Sequence, residues 1–133
     1  MGQDEMDARA DILVVDDDEF IRGYVTELLL SAGYGVTSAA SGDEALEILA
    51  GGPTPDLLLT DVQMAGGMSG IELARRANLI SANLRVLYTS GYIGGAGREQ
   101  LPAGAAFLQK PYRRRECIAL VSAILAEAAA DNT

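Results

Sequence analysis

The chain has 133 residues, one cysteine, no histidine and a formal net charge of −9. That length suits a single domain with one core, and the acidity opposes binding to nucleic acid or to an anionic membrane, whose phosphates it would repel. A lone cysteine excludes an internal disulfide and fits a reducing, cytoplasmic setting, while the missing histidine removes Ser-His-Asp and Cys-His catalysis, histidine-ligated zinc and any phosphohistidine on this chain.

Residues 1–10 are polar and read as a frayed leader, ahead of a domain over residues 11–130. Residues 11–16 form a first strand, in which Ile12-Leu13-Val14-Val15 run without a break into Asp16-Asp17-Asp18-Glu19. This is the pattern of a buried strand whose C-terminal end opens on an acidic pocket. Carboxylates crowded in this way raise one another's pKa and call for water or a hard divalent cation, Mg²⁺ first among them. Asp18 and Glu19 also suit the N-terminus of the next helix.

From Glu19 to Ala32, apolar residues at Phe20, Ile21, Tyr24, Val25, Leu28 and Leu29 recur at helical spacing, and Gly33 stops the helix. Gly35 to Ala40 is a short strand, and Ser41 three residues ahead of Glu44 opens a helix through Leu49. After Gly51-Gly52-Pro53-Thr54-Pro55, the run Asp56-Leu57-Leu58-Leu59-Thr60-Asp61 is a second buried strand that ends on an acid. A loop over Met64 to Gly70 leads to a helix from Ile71 to Ile80, and Leu84 to Thr89 is the fourth strand with Ser90-Gly91 at its tip. Tyr92 to Gly104 carries so many glycines that any helix there is short. Ala105 to Gln109 is the fifth strand, Lys110-Pro111 its tip, and Arg113 to Ala130 a closing helix. Lys110 is the only lysine, which singles it out for a specific task.

Five strand-then-helix repeats with right-handed crossovers predict a doubly wound α/β fold with a parallel sheet and five helices. In such sheets the working groups lie beyond the C-terminal strand ends, and Asp16, Asp17, Asp61, Ser90 and Lys110 all fall at that edge. An acid cluster with a cation, a separate acid, a hydroxyl and an ammonium are the parts that hold a phosphoryl group, with the Asp61 carboxylate able to attack phosphorus.

These stretches, together with Val86-Leu87-Tyr88-Thr89-Ser90-Gly91-Tyr92 and Phe107-Leu108-Gln109-Lys110-Pro111-Tyr112, resemble the receiver domain of two-component response regulators. The similarity is greatest to receivers at the C-termini of hybrid sensor kinases. It implies the flavodoxin-like receiver fold with strand order 2-1-3-4-5. It makes Asp61 the phosphoacceptor; Asp17 a direct Mg²⁺ ligand; Asp16 one that acts through a bound water or from behind the direct ligands; and the Gln63 backbone carbonyl a further ligand. Ser90 becomes the switch hydroxyl, Phe107 the aromatic that moves with it, and Lys110 the partner of a phosphoryl oxygen before a cis proline. The partners implied are a histidine kinase or histidine phosphotransfer protein, a downstream protein target, and a homodimer through the face of the fourth helix, fifth strand and fifth helix. The role is that of a phosphoacceptor rather than of an enzyme on an external substrate. Gln63 and Tyr92 line the phosphoryl site in receivers, and a bulky Tyr92 implies slow to moderate autodephosphorylation. Met64-Ala65 departs from the usual Met-Pro, and Gly66-Gly67 lengthens that loop by one residue.

Three rivals share some of these residues. A haloacid dehalogenase-type phosphatase would use Asp16 and Asp18, but needs a further acidic strand end after the lysine. A flavodoxin-like FMN carrier wants a Ser/Thr/Gly phosphate loop where this chain is acidic. A pseudo-receiver would have no use for the complete acid, hydroxyl and lysine set.

Overall fold

The computed structural model describes residues 9–65, 67–91 and 101–131. The chain runs β1 (Asp11–Val15), α1 (Glu19–Ser31), β2 (Gly35–Ala39), α2 (Gly42–Gly51), β3 (Leu57–Asp61), α3 (Gly70–Ile80), β4 (Arg85–Ser90), β5 (Ala106–Gln109) and α4 (Arg114–Asp131). The five strands form one sheet in the order β2-β1-β3-β4-β5, and every neighbouring pair is parallel.

Strand periodicity sorts the core into two layers. Leu13, Val15 and Leu58 face Ala45, Leu49, Leu73, Ala74 and Ala77 of α2 and α3. Ile12, Val14, Leu57 and Leu59 face Val25, Leu28 and Leu29 of α1 and Cys117 and Val121 of α4. Because β1 and β3 are covered on both faces, their sequences are continuously apolar rather than alternating. Burying each of these side chains contributes roughly 1.5–3 kcal/mol.

Helix ends follow local chemistry. The Asp18 carboxylate caps α1, accepting from the N–H groups of Phe20 and Ile21 at 2.9 and 3.1 Å. Gly33 sits just past the last turn of α1 at φ 99°, a conformation that favours glycine. Ser41 accepts from Glu44 N–H at 3.1 Å, while the Glu44 carboxylate reaches back to Ala40 N–H at 2.8 Å.

Several boundaries differ from the sequence expectation. Asp16 lies just outside β1, because its carboxylate accepts the Asp18 N–H at 2.9 Å and turns the chain out of the sheet. Asp56 precedes β3, with its side chain accepting from Asp11 N–H at 2.8 Å. Ser90 belongs to β4, since Lys110 N–H donates to its carbonyl at 2.8 Å and prolongs the ladder. Four helices, not five, occur among the described residues. Residues 101–105 contain no helix, and the rest of the segment expected to carry the fourth helix, including Tyr92, lies outside the described residues, as does that part of the expected dimer face. Among the described residues, no helix is long and apolar enough to cross a membrane.

Candidate functional site

An open pocket of about 350 Å³ lies at the C-terminal edge of the sheet, lined by Asp16, Asp17, Asp18, Ile21, Asp61, Gln63, Ser90, Gly91 and Lys110. It collects residues from the ends of β1, β3, β4 and β5, which only the parallel topology brings to one edge.

Asp16 is buried and held at three points. Its N–H donates to the Ala39 carbonyl at 3.2 Å, its Oδ1 accepts from Asp18 N–H at 2.9 Å, and its Oδ2 accepts from Lys110 Nζ at 2.7 Å. Asp17 is exposed, and its Oδ2 accepts from Ala65 N–H at 2.8 Å, which ties the β3–α3 loop to the acid loop. Asp61 ends β3, buried, with its Oδ2 3.3 Å from Lys110 Nζ. Each of Asp16, Asp17 and Asp61 offers a carboxylate oxygen, and the three oxygens lie within 4.8 Å of one another. Hard oxygen donors in that number and spacing suit Mg²⁺ or a similar cation. Asp18 lines the pocket, but its carboxylate serves as the cap of α1.

Burial pushes the Asp61 carboxyl above the usual carboxylate range; Lys110 opposes the rise and the Asp16 charge adds to it. The nearby Gln63 backbone also works against the rise. Burial also works against the Lys110 ammonium, yet its hydrogen bond to Asp16 and the fields of Asp61 and Asp16 outweigh that and leave its pKa raised. Lys110 is therefore charged and bridges two buried acids.

Ser90, not Thr89, lines the pocket, although both are buried. The Lys110–Pro111 bond is cis. Phe107 lies in β5 beside Tyr88, half-buried against the α2–α3 side of the core and outside the pocket lining. Gln63 is exposed at the rim.

Sequence reasoning missed two residues. Gly70 opens α3 directly against the Asp61 carbonyl, which a Cβ at this position would meet; its place after Ser69 at a helix start was the available signal. Arg22 donates from Nη1 to the Asp16 carbonyl at 2.8 Å, and nothing sets it apart in sequence from the other eight arginines.

A doubly wound sheet presenting carboxylates, a hydroxyl and a lysine at its C-terminal edge defines a phosphoacceptor-type signalling module. The chain belongs to the response regulator receiver domain family, whose model matches residues 12–122. It is 38% identical over 109 residues to the response regulator receiver protein CpdR of Brucella abortus, covering 80% of this chain and 89% of that protein. It is 34% identical over 124 residues to the sensor kinase CckA of the same organism, covering 91% of this chain but only 13% of the kinase. The crystal structure of the response regulator TrrA from Thermotoga maritima in complex with Mg²⁺–BeF superposes with a TM-score of 0.76 at 30% identity, covering 86% of this chain and 98% of that one.

Proposed function

We propose that residues 11–130 form a cytoplasmic receiver unit that accepts a phosphoryl group on Asp61. The observation that carries this reading is the placement of Asp61 Oδ2, 3.3 Å from Lys110 Nζ in a pocket that Ser90 also lines. Asp16, Asp17, Asp61 and the Gln63 carbonyl would hold Mg²⁺, a reading supported by the carboxylate spacing and by the Mg²⁺–BeF complex of TrrA. When bound, the cation supplies positive charge to the developing phosphoryl oxygens.

An oxygen of the ionised Asp61 carboxylate attacks phosphorus. The O–P bond forms as the P–N bond of a donor phosphohistidine breaks, and that electron pair stays on the imidazole nitrogen. Lys110 leaves its tie to Asp16 or Asp61 to meet the added charge, and Ser90 donates to a phosphoryl oxygen. The acyl phosphate carries about −2 charge in place of the −1 of the free carboxylate, so the pocket gains about one negative charge. Ser90 and Phe107 then shift together, presenting a changed surface to a downstream protein. Hydrolysis of the acyl phosphate is slow.

The test is incubation with Mg²⁺ and acetyl phosphate followed by intact mass. The wild-type chain gains one base-labile phosphate that requires Mg²⁺, and Asp61→Asn gains none; an unchanged adduct in Asp61→Asn would place the acceptor elsewhere. The same variant is expected to melt about 4 °C higher without Mg²⁺, the shift that about 1 kcal/mol produces in a domain of this size. Burial raises the pKa of Asp61, so its charge costs stability above the folded pKa and nothing in acid. The advantage of Asn therefore shrinks as pH falls through the carboxylate range, and a difference independent of pH would refute the electrostatic cause.

The donor is a histidine kinase or histidine phosphotransfer protein, a reading supported by the match to part of a sensor kinase. Its docking face is the exposed part of α1, where Phe20 is 90% and Tyr24 51% exposed. Between α1 and β5 an apolar groove lined by Ile21, Tyr24, Pro111 and Tyr112 continues into the acidic pocket. Phe20→Ala should slow transfer from a phosphohistidine protein about tenfold, the loss of one buried anchor, while leaving acetyl phosphate labelling unchanged. Equal slowing with both donors would remove Phe20 from docking.

A further inference from the structure

The chain must turn between Val15, the last residue of β1, and Asp18, the cap of α1, and two carboxylates project from that turn. The Asp16–Asp17 peptide sets where both point. Its carbonyl oxygen, that of Asp16, is gripped from outside the turn by Arg22 Nη1 at 2.8 Å. The first backbone bond of α1, from Arg22 N–H to the Asp18 carbonyl at 2.9 Å, anchors the base of this side chain at the far end of the acid loop. The arginine is half-buried and does not line the pocket, so its guanidinium stands behind the loop and takes up no place among the carboxylates.

We infer that Arg22 is a positioning residue for the acid pair: by fixing the Asp16 carbonyl it aims the Asp16 and Asp17 carboxylates into one site for a divalent cation. The inference rests on the reading of that pocket as a Mg²⁺ site. A carbonyl released from the guanidinium turns toward water, the peptide rotates, and Asp17 loses its aim, because among the described residues the Asp17 side chain is held by Ala65 N–H alone, at 2.8 Å. Lys110 cannot replace this restraint, since it grips the Asp16 carboxylate, and the bond from Asp18 N–H to Asp16 Oδ1 steadies the turn without holding the Asp16 carbonyl.

Position and charge act in opposite directions here, which makes the role measurable. Removing a positive charge near the acids favours a cation, whereas disordering the peptide disfavours it. An ionic strength of about 0.5 M, with a Debye length of roughly 4 Å, weakens the charge contribution, and whatever remains of it tightens binding in a variant without the charge and so cannot imitate the loss expected from disorder.

The experiment is calorimetric titration of Mg²⁺ into the wild type, Arg22→Met, Arg22→Lys and Asp17→Asn at that ionic strength, well below each melting temperature. Arg22→Met is expected to weaken Mg²⁺ binding about tenfold, and Arg22→Lys, which keeps a donor on a long stem, to stay within about threefold of wild type. Arg22→Met within twofold of wild type, or binding more tightly, overturns the inference, whatever happens to its melting temperature. Should the Met variant not fold, Arg22→Gln, too short to reach the carbonyl, is held to the same tenfold and twofold limits. No binding by the wild type, or undiminished binding by Asp17→Asn, would instead sink the underlying metal-site reading.

Discussion

Gly70→Ala is expected to lower the melting temperature by about 10 °C and to slow phosphoryl acceptance at Asp61 at least tenfold. The reason is steric. A Cβ on Gly70 runs into the carbonyl oxygen of Asp61 and comes within 3.0 Å of Thr60 Oγ1. The obstructing atom is backbone in a fully buried strand, so no side chain can rotate away. Gly70 is also tied in place, since its N–H donates to the Val62 carbonyl at 2.8 Å, and Ser69 caps α3 by accepting from Glu72 N–H at 3.1 Å. Either the first turn of α3 lifts or the end of β3 moves. Overpacking of this kind costs about 1–3 kcal/mol, and each kcal/mol shifts the melting point of such a domain by about 4 °C. The same displacement moves the Asp61 carboxylate, the acceptor proposed above, and an error approaching 1 Å at a reacting atom costs up to about a hundredfold in rate. Calorimetry and acetyl phosphate labelling on one preparation read both effects. A variant that melts within 2 °C of wild type would show that the helix start yields freely.

Lys110→Met should have the other large effect, and it should depend on the cation. The ammonium lies 2.7 Å from Asp16 Oδ2 and 3.3 Å from Asp61 Oδ2, and its side chain is 12% exposed. Removing one member of a buried ion pair leaves the other charge uncompensated, at a cost of about 3 kcal/mol or more. Without divalent cation the variant is therefore expected to melt at least 10 °C below wild type. Millimolar Mg²⁺ should recover much of that loss and raise the variant more than the wild type, because the cation neutralises the same acids that the lysine had served. Labelling by acetyl phosphate in saturating Mg²⁺ should still fall about 100-fold, the usual loss when one donor to a developing oxyanion is removed. Equal Mg²⁺ stabilisation of both proteins would mean that the lysine and the cation do not share their carboxylates.

Much of the architecture was readable from the chain because local rules and global packing agree. The runs Ile12-Leu13-Val14-Val15 and Leu57-Leu58-Leu59 could only be strands covered on both faces, and Ser41 with Glu44 and Gly33 punctuated the helices as their side chains and φ angle require. That the strands run parallel followed from strand and helix alternation, and with it the edge at which Asp16, Asp17, Asp61, Ser90 and Lys110 meet, while the order of the strands followed from the family resemblance. Strand ends were less legible: Asp16 and Asp56 each keep a backbone bond to the neighbouring strand through their N–H groups, but their side chains also bond backbone N–H groups and place them just outside the regular strands.

Residue types and their spacing, acting through burial and strand periodicity, were thus sufficient to determine the fold, the sheet edge that does the work and the kinds of group found there. Their precedence was not. That Lys110 bridges Asp16 and Asp61, that Asp17 holds the β3–α3 loop, and that Gly70 and Arg22 brace the pocket from behind all depend on contacts between segments distant in the chain or on the path of a turn. Hydrophobic patterning places a backbone to within a strand or a helix, but a hydrogen bond is decided by tenths of an ångström, which only the packed chain supplies.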